Sequence, residues 1–187
     1  LNNNKLTNAA IRTHLRSTFN PRAMPAQIPA TNPLAVSFLK RCNKLIKNSK
    51  INKKIIIEFR PKNGHIAAAS NSAIGLATGE FLAFLDHDDE LHPHALACIA
   101  GKLNKDRNLD LIYTDEDKID RWGNRSEPNF KSDWNPDLLL SQNYICRLAV
   151  YRRELVRELG GSREGFEGAQ DYDLLLRFTE KTQRISH

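Results

Sequence analysis

Three carboxylates, Asp86, Asp88 and Asp89, stand at the end of an unbroken apolar run over residues 81–85. Such a run fits a strand buried on both faces. In an open α/β sheet the carboxyl ends of parallel strands border the ligand crevice, so acids placed there can hold a divalent cation against an anionic substrate. A solvated acidic turn ahead of a helix has the same residue types, and the motif alone does not separate the two readings. A second acid, Asp171, lies at the start of an amphipathic stretch. There it can serve as a proton acceptor or simply complement the helix dipole. His87 sits among the first acids as a metal-binding or ordinary loop histidine. Asp115, Glu116 and Asp117 form another acidic cluster, pocket lining or solvated turn. Trp134 and Tyr144 offer rings that stack on a sugar or fill a core. Asn71 has an amide that reaches a ligand or caps backbone.

The elements that must position these residues follow from periodicity. Residues 1–33 carry Pro21, Pro25, Pro29 and Pro33, a spacing that forbids a continuous helix and predicts loop. Residues 34–47 place Ala35, Leu39, Cys42 and Ile46 on one helical face, and residues 53–59 suit a short strand. A helix follows, with Ile66, Ala69, Ala73, Leu76 and Ala77 inward and Gly79 behind it. After the acid-tipped strand, Pro93 opens a helix striped by Leu96, Ile99, Ala100 and Leu103, and residues 109–113 make another strand. This alternation predicts an α/β, mostly parallel sheet flanked by helices. Residues 121–137 read as a long loop. Beyond it come a short helix at 137–141, a strand at 144–151, a helix at 152–159 stopped by Gly160 and Gly161, and a last helix with Leu174, Leu175 and Phe178 inward. Nothing visible terminates the chain at His187.

At 187 residues, one domain with a real core is the expectation. The formal charge of +6 is divided unevenly: residues 1–62 hold 13 Lys and Arg against Glu58 alone, while the remainder is acidic. A basic segment of this kind is a solvated arm, or it rests on an anionic membrane or nucleic acid. The chain lacks a basic helix with interleaved aromatics, which argues against nucleic acid. Cys42, Cys98 and Cys146 have no disulfide or metal spacing, so a reducing, cytoplasmic setting is expected. Peripheral contact with the inner face of a membrane stays open.

Taken together, the segments resemble one family. Asn71-Ser72-Ala73-Ile74-Gly75-Leu76-Ala77-Thr78-Gly79-Glu80, then Phe84-Leu85-Asp86-His87-Asp88-Asp89, is similar to paired motifs of family 2 glycosyltransferases. Gly168-Ala169-Gln170-Asp171-Tyr172-Asp173-Leu174 resembles their base motif, with Gln170 in place of an acid. The residues at 86–91, 113–118, 133–137 and 143–144 resemble a sub-type associated with bacterial surface polysaccharide assembly. The resemblance implies a GT-A (Rossmann-like) fold and a nucleotide-sugar donor. It also implies a saccharide or lipid-linked acceptor, a divalent metal (Mn or Mg) and an inverting transfer. It implies Asp171 as catalytic base, Asp88 as metal ligand, Asp86, Asn71 and Asp115 at the donor, and Trp134 and Tyr144 at the acceptor. The family's opening strand and an Asp-Asp-x-Ser segment are not found before Thr31, and a strand carrying a histidine is expected after His187. On this reading residues 1–30 are an unassigned basic segment and 31–187 a partial GT-A domain, incomplete at the N-terminal strand. The alternative is a truncated, inactive remnant that only binds.

Overall fold

The computed structural model describes residues 56, 58, 60–86, 89–120 and 122–187. The expected helix at 34–47 and the division at residue 30 lie outside these residues, as does most of the strand expected at 53–59. The architecture described here begins at Gly64.

Helix α1 (His65–Leu76) leads into β1 (Phe81–Ala83), followed by α2 (Ala95–Lys105) and β2 (Leu111–Tyr113). A hairpin of β3 (Glu116–Ile119) and β4 (Arg125–Asn129) comes next. Then follow α3 (Pro136–Ser141), β5 (Ala149–Arg152), α4 (Arg153–Glu158), α5 (Gln170–Thr179) and β6 (Ile185–Ser186).

The main sheet has the order β1-β5-β2-β6. Strands β1, β2 and β6 run in one direction, and β5 lies antiparallel between β1 and β2. Alternate residues feed two apolar layers, as strands buried on both faces require. Leu82, Leu111, Tyr113, Ala149 and Tyr151 join Leu174, Leu175 and Phe178 of α5 on one face, with Ile74 of α1. Phe81, Ile112 and Val150 meet Ile99 and Leu103 of α2 on the other.

Several local expectations are corrected. Residues 121–137 are not one loop: β4 pairs with β3 around a turn in which Asp120 Oδ1 accepts from the N–H of Trp122 (2.8 Å) and Asn124 (2.9 Å). Those hydrogen bonds, the Asn124 side chain first, hold the Asp120 carboxyl below its ordinary range. Helix α1 buries Ala67, Ala68, Ser70 and Ile74, whereas Leu76 is exposed. The polar Ser70 is tolerated inside because its hydroxyl donates to Ile66 O at 2.7 Å. In α2 only Ile99 is fully buried, and Leu96 faces solvent. The strand expected at 144–151 is confined to Ala149–Arg152, because residues 142–146 have no regular structure and the chain bends at Arg147 and Leu148. The last described residues form a strand that was not expected: β6 adds to β2 in parallel, pairing Leu111 with Ile185 and Ile112 with Ser186.

Candidate active site

Strand direction brings the functional residues to one end of the sheet. The three parallel strands β1, β2 and β6 lead at their carboxyl ends to Asp86, Asp115 and His187. Because β5 is reversed, its amino end delivers Arg147 to the same place. Asp171 arrives from the first turn of α5, whose inward face is fixed by Leu174, Leu175 and Phe178. The carboxyl ends of parallel strands are where open α/β sheets gather ligands.

Arg147 joins the two acids singled out in the sequence. Its Nη2 donates to Asp86 Oδ2 at 2.5 Å and its Nη1 to Asp171 Oδ2 at 3.2 Å, while Nε lies 3.6 Å from Asp89 Oδ2. Burial works against the charge on this guanidinium, but Asp86 and then Asp171 outweigh it and hold the group protonated. Phe84, Cys146, Arg147, Ala149, Tyr151, Ser162, Gln170, Asp171 and Leu174 line one concavity. Asp171 and Arg147 thus line one opening, and Asp86, outside that lining, is tied to it by its ion pair with Arg147.

The neighbouring group is built around β2. Asp115 Oδ1 accepts from Lys131 N (2.8 Å) and lies 3.0 Å from His187 Nε2. The His187 ring stacks on Tyr113, with centroids 5.0 Å apart. Tyr113 donates to Ser132 O at 2.7 Å, and its phenol is pushed well above the ordinary range by burial first. Lys131 is a buried ammonium that donates to Ile145 O (2.6 Å) and Arg147 O and sits 3.4 Å from Glu116 Oε2. Burial pulls its pKa below the ordinary lysine range, opposed by Glu116.

The remaining candidates are placed as follows. Asp88 and His87 lie outside the described residues. Asn71 holds backbone: Nδ2 donates to Ser162 O (2.8 Å) and Oδ1 accepts from Ser162 N (2.9 Å). Gly161 lies so close that an added Cβ would come within 2.3 Å of that Oδ1, and its φ is +72°. Tyr144 is buried in the core, edge-on to Tyr113, with its hydroxyl accepting from Asn135 N at 3.0 Å. Trp134 is partly exposed, packs on the same core, and donates from Nε1 to Gln183 Oε1 at 3.2 Å.

Two site residues escaped the sequence reading. Arg147 sat inside what looked like a strand, and no spacing rule singles out one arginine there. His187, directly after β6 and 3.0 Å from Asp115, was not singled out. A two-residue strand has no periodicity to betray it.

Oxygen donors with an imidazole suit Mn²⁺ or Mg²⁺ better than soft metals. Among the described residues, Asp86, Asp89 and Asp171 share the guanidinium of Arg147, so carboxylate oxygens are gathered there. Among the described residues no three acidic, histidine or cysteine side chains already converge as a metal site.

The sequence profile of Glycosyl transferase family 2 matches residues 39–160. An O-antigen biosynthesis protein, RfbC of Myxococcus xanthus, is 48% identical over 124 residues, covering 66% of this chain and 10% of that protein. Chondroitin synthase of Escherichia coli is 33% identical over 122 residues, 64% of this chain and 18% of that protein. The chain thus spans less than a fifth of these relatives. Among solved structures, S. aureus TarS 1-349 in complex with UDP-GlcNAc superposes with a TM-score of 0.60 at 18% identity, covering 79% of this chain and 43% of that one. The mannosyltransferase PcManGT of Pyrobaculum calidifontis, in complex with GDP-Man and Mn2+, gives 0.54 at 18% identity, covering 86% and 42%. At such identity these superpositions establish a shared GT-A fold.

Proposed function

The chain belongs to glycosyl transferase family 2, and from that premise we propose that it moves a sugar from a nucleotide-diphosphate donor to a hydroxyl of a saccharide or lipid-linked acceptor, inverting the anomeric carbon. The observation that supports the reading is the bridge of ion pairs that Arg147 makes between Asp86 and Asp171. Transfer needs a donor held at one wall and a proton acceptor at the other.

The acceptor oxygen attacks the anomeric carbon from the face opposite the diphosphate, and the bond to the diphosphate breaks. As the new bond forms, the hydroxyl proton passes to a carboxylate oxygen of Asp171. Asp86 accepts hydrogen bonds from donor hydroxyls, and Asp115 with His187 flanks the diphosphate. Asn71 acts at one remove, by fixing Ser162 beside Asp171. Trp134 gives the acceptor an aromatic face, and Tyr144 supports it by holding the Asn135 backbone. Asp88, with Asp86 and His187, would hold a divalent cation, manganese or magnesium, which would supply Lewis-acid neutralisation of the leaving diphosphate. No described helix is long and apolar enough to cross a membrane. A lipid-linked acceptor would be met at the inner membrane face, with the basic residues before Asn63 supplying attraction to anionic lipid.

The test is nucleoside diphosphate release and sugar transfer from UDP- and GDP-sugars. Asp171→Asn should abolish transfer while sparing donor binding, and Asp88→Ala should weaken manganese-dependent binding. Parental transfer by both variants overturns these roles. Donor binding without transfer by the parent supports the binding-module alternative instead.

A further inference from the structure

The concavity that Asp171 lines also carries Tyr151, Ser162 and Gln170, whose polar groups have no part in the reaction just described. These residues are 5%, 7% and 5% exposed. Each is held from behind. The Tyr151 ring packs edge-on against Phe84 and Phe178, with centroids 5.7 and 5.2 Å away. Both backbone groups of Ser162 are taken by Asn71. Gln170 Oε1 accepts from the N–H of Gly168 at 2.7 Å, which fixes the amide with Nε2 as its other end. Among the described residues, Tyr151 Oη, Ser162 Oγ and Gln170 Nε2 meet no hydrogen-bond partner, whereas buried hydroxyls and amides ordinarily find one. The described side-chain atoms that are both sealed from solvent and partnerless belong to Arg147 and Arg153, so these three atoms open onto accessible space.

The unmatched groups define what they can receive. Burial first, and then the charge of Asp171, push the Tyr151 phenol well above its ordinary range, so the hydroxyl keeps its proton. Two hydroxyls and an amide N–H share the concavity with the apolar side chains of Phe84, Ala149 and Leu174. Gln170 Nε2 only donates and calls for an oxygen acceptor, while the hydroxyls donate or accept. A carboxylate would bring a second negative charge beside Asp171. A lone hydroxyl would leave the apolar wall unused. An acetamido group has a carbonyl oxygen, an N–H and a methyl, one for each kind of surface present. Resting on the glycosyl-transfer reading, we propose that Tyr151, Ser162 and Gln170 form a subsite for the acetamido group of an amino sugar, carried either by the sugar that is moved or by the sugar that receives it. The carbonyl accepts from Gln170 Nε2 and Tyr151 Oη, the N–H donates to Ser162 Oγ, and the methyl rests on the apolar wall. A sugar with a hydroxyl in that place leaves buried donors unmet, which is how it is discriminated against.

The experiment titrates the 187-residue chain with matched pairs of ligands, read by saturation-transfer NMR. One arm sets UDP-GlcNAc against UDP-glucose, and the other sets methyl N-acetylglucosaminide against methyl glucoside. The parent should bind the acetamido member about tenfold more tightly in one arm, and that arm identifies whether the donor or the acceptor carries the group. Tyr151→Phe, Ser162→Ala and Gln170→Glu, the last keeping an oxygen for the N–H of Gly168, should each cut the preference to about threefold or less. The thermal transition of Tyr151→Phe should not fall, because the lost hydroxyl has no partner in the protein. A concavity that holds only water gives no preference in either arm, and that result, whether from equal binding or from none, overturns the proposal. So does a preference undiminished in Tyr151→Phe and Ser162→Ala, the pair that decides if Gln170→Glu does not fold. An acetamido preference among the methyl glycosides with no UDP- or GDP-sugar bound upholds the subsite and removes the nucleotide-sugar reading. Nucleotide sugars bound without preference leave that reading standing and overturn the subsite.

Discussion

The two ends of the main sheet use the same chemistry to different ends. At the end away from the opening, Asp110 is fully buried and well matched: Arg152 Nε donates to it at 2.6 Å, Arg184 Nε at 2.8 Å and Thr182 Oγ1 at 2.6 Å. Glu80, 3.0 Å from Arg152 Nη1, brings the count to two acids and two bases. At the opposite end three acids share Arg147, all of them partly exposed. The first cluster ties strands together around a fully buried acid, whereas in the second, among the described residues, three partly exposed acids share one arginine beside a concavity. Ion pairs alone therefore do not mark a site, and the balance of charge and exposure does.

The largest expected effect tests the open end. Asp171→Asn should lower sugar transfer by about 10²–10⁴-fold, the range for loss of a general base. Its thermal transition should stay level or rise, because one of three mutually repelling acids is gone. A rate near that of the parent would erase the contrast. Asp110→Asn should do the reverse, costing about 3 kcal/mol in denaturant unfolding by taking the counter-charge from the largely buried Arg152 guanidinium. Donor binding by the folded fraction should be unchanged. Gly161→Ala should cost about 2 kcal/mol, combining a left-handed backbone unfavourable to alanine with collision against Asn71 Oδ1. Asn71→Ala in the same background should relieve part of that cost, which calorimetric melts of the single and double variants would show.

The smallest effect repeats the contrast within α5. Asp173, two residues from Asp171, is buried and clamped by Arg163 and Arg177. Burial alone would raise its pKa, but the two guanidinium groups outweigh this and hold it below the ordinary carboxylate range. Its folded pKa is depressed, so its contribution is complete above the unfolded pKa and is lost as pH falls through the folded one. Melts below about pH 4 should show an acid-side loss that Asp173→Asn lacks.

What was legible in the sequence was whatever repeats or punctuates. The order of helices and strands from residue 65 came from apolar spacing, and the meeting of Asp86 with Asp171 came from motif resemblance. The β3–β4 hairpin escaped because both strands are solvated and show no apolar alternation, while Pro128 reads as a breaker although an exposed edge strand accepts it. The buried face of α1 was misplaced because Ala67, Ala68 and Ser70 carry little hydrophobic signal and are chosen for close approach. Arg147 and Lys131 could not be found at all. Their importance arises from partners far along the chain, which only the reversed strand brings near.

That reversed strand also governs how the chain acquires its shape. Both neighbours of β5 come much earlier in the chain, so β1 and β2 have no partner in each other and must wait for Ala149–Arg152 to be made. Among the described residues β1 and β2 thus have no strand partner until β5 is made, a condition that invites chaperone capture. Refolding from denaturant should accordingly be slow and single-step, with sheet and opening forming in the same event.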